Sequence, residues 1–352
     1  MPDPLVISID AMGGDHGLST VLPGVEKALQ SLGPGAARFL LHGDAAALEP
    51  ALSSSPILRN VCVIRPSSGA IAMDAKPAHA MRRGKGTSMW NAVESVRAGE
   101  ARAAVSAGNT GALMAISRLL LRTAGDLDRP ALVANWPTSR GVTSVLDVGA
   151  NIVCDAERLV QFAILGDAYH RAIHKTARPS IGLLNVGAET EKGHDEVRGA
   201  DRILREMTEE IDYRGFVEGD DIAKGTVDVI VTDGFTGNVA LKTAEGLARF
   251  FRGELRRTFT ESIRAKLGAL VARPALAGMS ARLDPSAING GPFLGLNGVV
   301  VKSHGGTDAA GFANAVCLAA RLAQSDFIAE IDRGLVHSAA ARYASSRERT
   351  VA

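Results

Sequence analysis

The chain is 352 residues long and 46% hydrophobic, too large for one small core, so one large α/β domain or a pair of lobes is expected. A formal net charge of +1 leaves no global basic footprint and excludes nucleic acid as an expected partner. The three cysteines, Cys62, Cys154 and Cys317, form no C-x-x-C pair, which argues against a disulfide framework and for a cytoplasmic setting, and no apolar run approaches the roughly 20 residues that span a bilayer.

In chain order, residues 6–9 read as the first strand and 18–32 as the first helix. Strand-like runs follow at 37–41 and 61–64, then a helix at 88–99, a strand at 103–106 and a helix at 111–124. Residues 124–137 read as a crossover between lobes. A strand at 143–147, a helix at 155–174, a strand at 180–185, a helix at 196–210, a strand at 227–232, a long helix at 238–268, a strand at 299–303 and a helix at 309–323 complete the series. This βα alternation predicts a Rossmann-like, mostly parallel sheet with helices on both faces. One large domain over residues 1–337 is expected, with two lobes as the alternative and a protruding helical hairpin at about 245–284; residues 338–352, rich in Ala, Ser and Arg, are expected to fray.

Glycine-rich junctions stand where strand-like runs give way to helices. The first holds Asp10, Gly13, Gly14 and Asp15, the second Ser106, Gly108, Asn109, Thr110 and Gly111, the third Asp233, Gly234, Thr236, Gly237 and Asn238, and the fourth runs from Ser303 to Asp308. Glycine lets the backbone turn sharply and approach a ligand, and the helix that follows offers unpaired N–H groups and a partial positive charge, so these junctions suit an anion. Taken singly, each is equally an ordinary βα turn, with Thr110 and Thr236 as helix caps. Gly108 to Gly111 and Gly234 to Gly237 share the pattern G-x-T-G, a short echo that would place two loops on one cleft.

A loop after the run at 180–185 supplies the sharpest catalytic candidate. It carries Asn185, Gly187, Glu189, Lys192 and Gly193, and an ammonium on a flexible stem suits phosphate as a point charge. Upstream, Lys76, Arg82, Arg83 and Lys85 precede a helix, as a site for a phosphorylated carrier arm would, or as a solvated basic loop would. Between Arg249 and Arg282 the chain carries eight Lys or Arg against two Glu, including Arg264, Lys266 and Arg273, interleaved with Leu267, Leu270, Val271, Leu276 and Met279 around Pro274. That is the pattern of a hairpin with an apolar tip, suited to an anionic membrane surface, an acidic carrier or a dimer contact.

Other chemistries find little support. There is no G-x-G-x-x-G, no G-x-x-x-x-G-K-[ST], no G-x-S-x-G and no H-E-x-x-H. His170 and His174 are spaced i, i+4 but lack a third ligand at matching spacing, so no metal is expected, and no cofactor motif is present. The cysteines read as structural. His304 and Asp308 form H-x-x-x-D, a spacing found in some acyltransferases, although a capped strand-to-helix turn explains it as well.

These motifs together resemble the bacterial phosphate acyltransferases over nearly all of residues 5–335: Ile9 to Asp15, Ser106 to Met114, Leu146 to Asn151, Leu184 to Gly187 with Glu189, Lys192 and Gly193, Thr232 to Asn238, and Gly295 to Gly305. Where that family shows Asp-Ser-Ser after its basic loop, this chain has Gly86-Thr87-Ser88. The resemblance implies a fold similar to phosphotransacetylases and isopropylmalate dehydrogenases, a homodimer, and peripheral membrane association. It implies transfer of a fatty acyl group from acyl carrier protein to inorganic phosphate, giving acyl phosphate for a membrane glycerol-3-phosphate acyltransferase. On that footing Lys192 is assigned the phosphate, with Asn185 and the Asn109 to Gly111 turn, the loops at 10–15 and 232–238 complete the cleft, and His304 serves the leaving thiolate. A short-chain phosphotransacylase using acyl-coenzyme A and a non-catalytic membrane scaffold are the competing readings.

Overall fold

A computed structural model describes residues 4–125, 127–282 and 289–335. The expected fraying of residues 338–352 and the last two residues of the expected hairpin, 283–284, lie outside the described residues.

An 11-stranded sheet is the frame. From one edge its strands are β3 (Cys62–Pro66), β2 (Ala37–Gly43), β1 (Leu5–Asp10), β4 (Ala103–Ser106), β11 (Val299–Lys302), β10 (Gly291–Leu294), β5 (Ala131–Thr138), β6 (Gly141–Leu146), β9 (Val229–Val231), β7 (Ser180–Leu184) and β8 (Asp212–Val217). Five neighbouring strands from β3 to β11 are parallel, and so are the four from β6 to β8. Three successive antiparallel pairings, β11 with β10, β10 with β5 and β5 with β6, join the two halves.

The helices are α1 (Leu18–Leu32), α2 (Ala45–Ser53), α3 (Pro56–Val61), α4 (Pro77–Arg83), α5 (Ser88–Arg97), α6 (Thr110–Leu121), α7 (Ala156–His174), α8 (Asp195–Glu206), α9 (Asp221–Lys224), α10 (Gly234–Thr260), α11 (Ile263–Arg282) and α12 (Ala309–Gln324). Helix α1 buries Val21, Leu22, Val25, Ala28 and Leu29, the i, i+3, i+4, i+7 stripe of an amphipathic helix. That stripe packs on α12, and a Cβ at Gly24 would come within 2.9 Å of Phe312, so glycine is what lets the two helices approach. One apolar core runs through both halves, from Ile7, Phe39 and Phe312 to Leu165, Tyr169 and Val229. Each such side chain contributes about 1.5–3 kcal/mol by leaving water.

Several elements differ from expectation. Residues 124–137, read as a crossover, contain β5, a strand at the centre of the sheet whose Pro137 lies near its end. Strands β8 and β10 and the short helices α2, α3, α4 and α9 were also not foreseen; β8 carries Asp212, Arg214 and Gly215, which dilute its apolar alternation. The hairpin exists, but its turn falls at Glu261 and Ser262, between α10 and α11, and not around Pro274, which lies inside α11. Beyond its first turns α10 presents Leu247, Phe250, Phe251 and Leu255 outward, and α11 presents Ile263, Leu267, Leu270 and Val271, while Leu276 and Met279 are half-buried. No helix among the described residues is long and apolar enough to cross a membrane.

Candidate active site

Strands β1, β4 and β11 are parallel neighbours, so the segments that leave their C-terminal ends meet on one edge, where ligands sit in open α/β sheets. The Ser106 hydroxyl donates to Asp10 Oδ2 at 2.6 Å and accepts from the Gly108 N–H at 3.0 Å. Asp10 is buried, Ser88 Oγ and the Met12 backbone face its carboxyl, and among the described residues neither Asp10 Oδ1 nor Ser88 Oγ meets a hydrogen-bond partner at full geometry. Burial raises the Asp10 pKa, against hydrogen bonds and the charge of Lys302. Gly13 is required here, since a Cβ would lie 2.5 Å from Asp10 Oδ2, and Gly14 has a φ of 89° while the following Asp15 N–H reaches the Gly305 carbonyl at 2.9 Å. Asn109 caps α6 by accepting from the Ala112 N–H at 2.8 Å, and its amide donates to the Met73 carbonyl at 2.6 Å. The cap is therefore Asn109 and not Thr110, and the loop before α4 is stitched to the site. Pro77 covers Gly111 and Met89 covers Gly108.

His304 lies on the same edge, exposed, with Nδ1 accepting from the Gly306 N–H at 3.3 Å. That bond favours the tautomer with the proton on Nε2, which is then free to donate. Partial burial of the ring lowers its pKa, with Glu245 opposing and Lys242 and Lys302 adding to the fall. Lys242 and Glu245 stand on α10, so this helix brings charge from the second half to the first.

The second cluster is built on Asp147, which follows β6. Its buried carboxylate accepts from the backbone N–H groups of Leu132, Gly149, Ala150 and Asn151 and from the Asn151 side chain, at 2.6–3.1 Å. Burial raises its pKa against those bonds. The turn so shaped receives α10: the Gly234 N–H donates to the Asn151 carbonyl at 2.7 Å and the Asn238 amide to the Val148 carbonyl at 3.1 Å. Asp233 caps the helix, taking the Thr236 N–H at 2.9 Å and its hydroxyl at 2.7 Å, so the Thr236 hydroxyl faces its own cap. A Cβ on Gly237 would collide with the Asp147 carbonyl oxygen.

The third cluster is the loop after β7. The Asn185 amide donates to the Gly187 and Lys192 carbonyls, both at 3.1 Å, and so closes the loop. Gly193 has a φ of 89°, and a Cβ there would collide with Asn185 Oδ1. Lys192 Nζ pairs with Glu189 Oε1 at 2.8 Å with both side chains exposed, which raises the lysine pKa and lowers that of the carboxyl. The structure thus groups the residues of the first, second and fourth junctions around Asp10 and those of the third around Asp147, while Asn185, Gly187, Glu189 and Lys192 lie in a separate loop, where the Asn185 N–H donates to the Val217 carbonyl and Arg198 donates to the Glu191 and Gly193 carbonyls.

Arg82, Arg83 and Lys85 are exposed beside the first cluster, at the end of α4 and the start of the turn into α5. Thr87 caps α5, and Ser88, the last residue of Gly86-Thr87-Ser88, faces the Asp10 carboxyl. His170 and His174 stack at 4.4 Å between centroids, and His170 Nδ1 meets the Ser144 hydroxyl at 3.0 Å in a buried polar network. Among the described residues no group of three His, Cys, Asp or Glu is placed to hold a metal ion. Burial pushes the Cys62 and Cys154 thiols up to about 12, so neither is a ready nucleophile at neutral pH.

Two residues escaped the reading of the sequence. Lys302 ends the apolar run of β11 as a buried ammonium, and the signal was there as a charge at the end of Val299 to Val301. Asp147 was visible only as part of a motif, with nothing to mark it as the centre of a turn.

A profile of the family described as "Fatty acid synthesis protein" matches residues 5–330. The phosphate acyltransferase of Caulobacter vibrioides is 65% identical over 335 residues, covering 95% of this chain and 92% of that one, and the phosphate acyltransferase of Phenylobacterium zucineum is 58% identical, covering 95% of each. Among solved structures, a phosphotransacetylase from Streptococcus pyogenes shares the fold with a TM-score of 0.63 at 17% identity, covering 92% of this chain and 95% of that one. The chain belongs to the fatty acid synthesis protein family, whose similar members named here are phosphate acyltransferases, and it is an acyltransferase.

Proposed function

We propose that the chain transfers a long-chain acyl group from acyl carrier protein to inorganic phosphate, releasing the carrier thiol and acyl phosphate. The observation that carries this reading is the glycine-walled edge around Asp10, Ser106 and His304, with the ammonium groups of Lys302 and Lys242 acting on it. Phosphate is already an anion and a thioester is already activated, so direct displacement needs no covalent intermediate. A phosphate oxygen attacks the thioester carbonyl carbon, the C–O bond forms, the C–S bond breaks, and the sulfur leaves with the electron pair. Catalysis then consists of positioning and of stabilising the oxyanion that develops on the carbonyl. His304 Nε2–H donates to the departing sulfur, while Lys192, on the loop that Asn185 closes, exchanges Glu189 for phosphate.

The exposed Arg82, Arg83 and Lys85 receive an acidic carrier beside the site. Arg264, Lys266 and Arg273, with the outward Ile263, Leu267, Leu270 and Val271, place the hairpin on an anionic membrane surface, where the product meets a glycerol-3-phosphate acyltransferase. A homodimer completes this reading. The test is to mix the protein with long-chain acyl carrier protein and phosphate and follow thiol release together with hydroxylamine-trappable acyl phosphate. Joint appearance supports the reaction. Thiol release without phosphate dependence makes the protein a thioesterase, and activity only with acyl-coenzyme A makes it a phosphotransacylase of another substrate class.

A further inference from the structure

The Lys302 side chain is 8% exposed by residue and crosses beneath two glycine-rich loops. Its ammonium donates to the Ala107 carbonyl at 3.3 Å and to the Ser303 carbonyl. These carbonyls belong to the peptide units whose N–H groups are those of Gly108 and His304. The Gly108 N–H is held by Ser106 Oγ at 3.0 Å, and the His304 N–H by Asn289 Oδ1 at 3.1 Å. Asn289 in turn donates to Ser303 Oγ at 2.9 Å. Both peptide units are thus fixed at both ends, and among the described residues the Lys302 ammonium is the group that they share.

We propose that Lys302 is a positioning residue that locks the 106–111 and 303–308 loops into one frame and so sets where phosphate sits against the acyl carbonyl. This deepens the function proposed above and rests on it. A charge-assisted donor to two carbonyls is stronger than a neutral one, and deprotonation would leave the neutral amine a weak clasp. The charged groups that act on this ammonium are Asp10 from β1, Asp15 from the loop that follows, and Lys242 from α10, with His304 on the adjoining loop. Burial lowers the Lys302 pKa to about 8, against the two carboxylates. The clasp is therefore closed below that pH and opens as pH rises through it.

The experiment compares wild type, Lys302→Met and Lys302→Arg. Hydrogen exchange of the folded full-length chain should show Lys302→Met accelerating exchange in segments spanning 106–111 and 303–308 while leaving 147–151 unchanged, and this arm needs no activity. In turnover, Lys302→Met should lower kcat/KM for phosphate about a hundredfold, the scale of a small misplacement of reacting groups. The alkaline fall of kcat/KM in wild type should move upward in Lys302→Arg, whose charge persists. Uniform acceleration of exchange, or exchange unchanged at both loops, overturns the proposal, as does an alkaline limb shared by wild type and Lys302→Arg. If wild type shows no phosphate-dependent transfer, the function falls while the exchange arm still decides the clasp.

Discussion

The Ser106 hydroxyl stands between the Asp10 carboxylate, 2.6 Å away, and the Gly108 N–H, 3.0 Å away, so one oxygen joins strand β1 to the loop that leaves β4. Ser106→Ala removes that oxygen and leaves a buried N–H without its partner. Each orphaned buried group costs about 1–3 kcal/mol. Denaturant unfolding should show a loss of at least that size, and phosphate-dependent turnover should fall with it. An unchanged unfolding midpoint would show that the two groups find other partners.

Gly237 and Gly246 lie on the same helix and predict opposite outcomes. A Cβ on Gly237 meets the Asp147 backbone carbonyl, which cannot swing aside, whereas nothing lies within 4 Å of one on Gly246. Gly237→Ala should therefore cost about 1–3 kcal/mol or more, as overpacking does. Gly246→Ala should stabilise by about 0.4–1 kcal/mol through the unfolded chain and helix propensity. Thermal unfolding of the two variants side by side checks the sign.

Lys192→Ala should separate folding from function. The side chain is exposed and its ion pair with Glu189 is a surface pair, so the unfolding temperature should stay within the small range of surface substitutions. Loss of a cation that serves the transition state should lower kcat by about a hundredfold or more. Full activity in Lys192→Ala would move phosphate recognition to the Lys302 side of the site.

His42 gives the fold a dependence on acid. It is 4% exposed, meets Ser95 Oγ at 3.2 Å, and burial with the nearby Arg65 lowers its pKa to about 4. The unfolded chain, with an imidazole pKa near 6.5, binds the proton first, so stability is full above about pH 6.5 and is lost as pH falls towards 4. The loss from this group is on the order of 3 kcal/mol at the acid end. Asp10 and Asp147, whose pKa values are raised, work against that loss by taking up protons in the folded state. Unfolding midpoints measured from pH 7 to 4 should slope less steeply in His42→Asn than in wild type.

The parallel halves were legible because their strands are apolar runs between helices of period 3.6, as in Ala103 to Ser106 before α6. The central strand β5 was not. Its Asn135, Pro137 and Thr138 look like a connection, and only pairing with β10 and β6 on either side makes it a strand. The loops of the candidate site were legible from glycine, yet their internal wiring was not. Asn185 read as a catalytic aid and is also the residue whose amide closes its loop, while Lys302 sat unnoticed at the end of an apolar strand because burial is a tertiary property.

Strand β11 lies between β4 and β10, with Val299 registered on Ala103 and Lys302 on Ser106. The first five parallel strands therefore contain a member made almost 200 residues after its neighbour. During synthesis, the edge that holds Asp10 and Ser106 stands beside an empty slot until residues 299–302 emerge from the ribosome, whatever the rest of the chain has already folded. Such distant pairing slows folding, since the long loop must close before its contacts repay the loss of chain entropy. The same late arrival brings in Lys302 and His304, so the nascent chain assembles its chemistry only when the sheet is closed, and an interrupted product has the glycine loops without the cation beneath them.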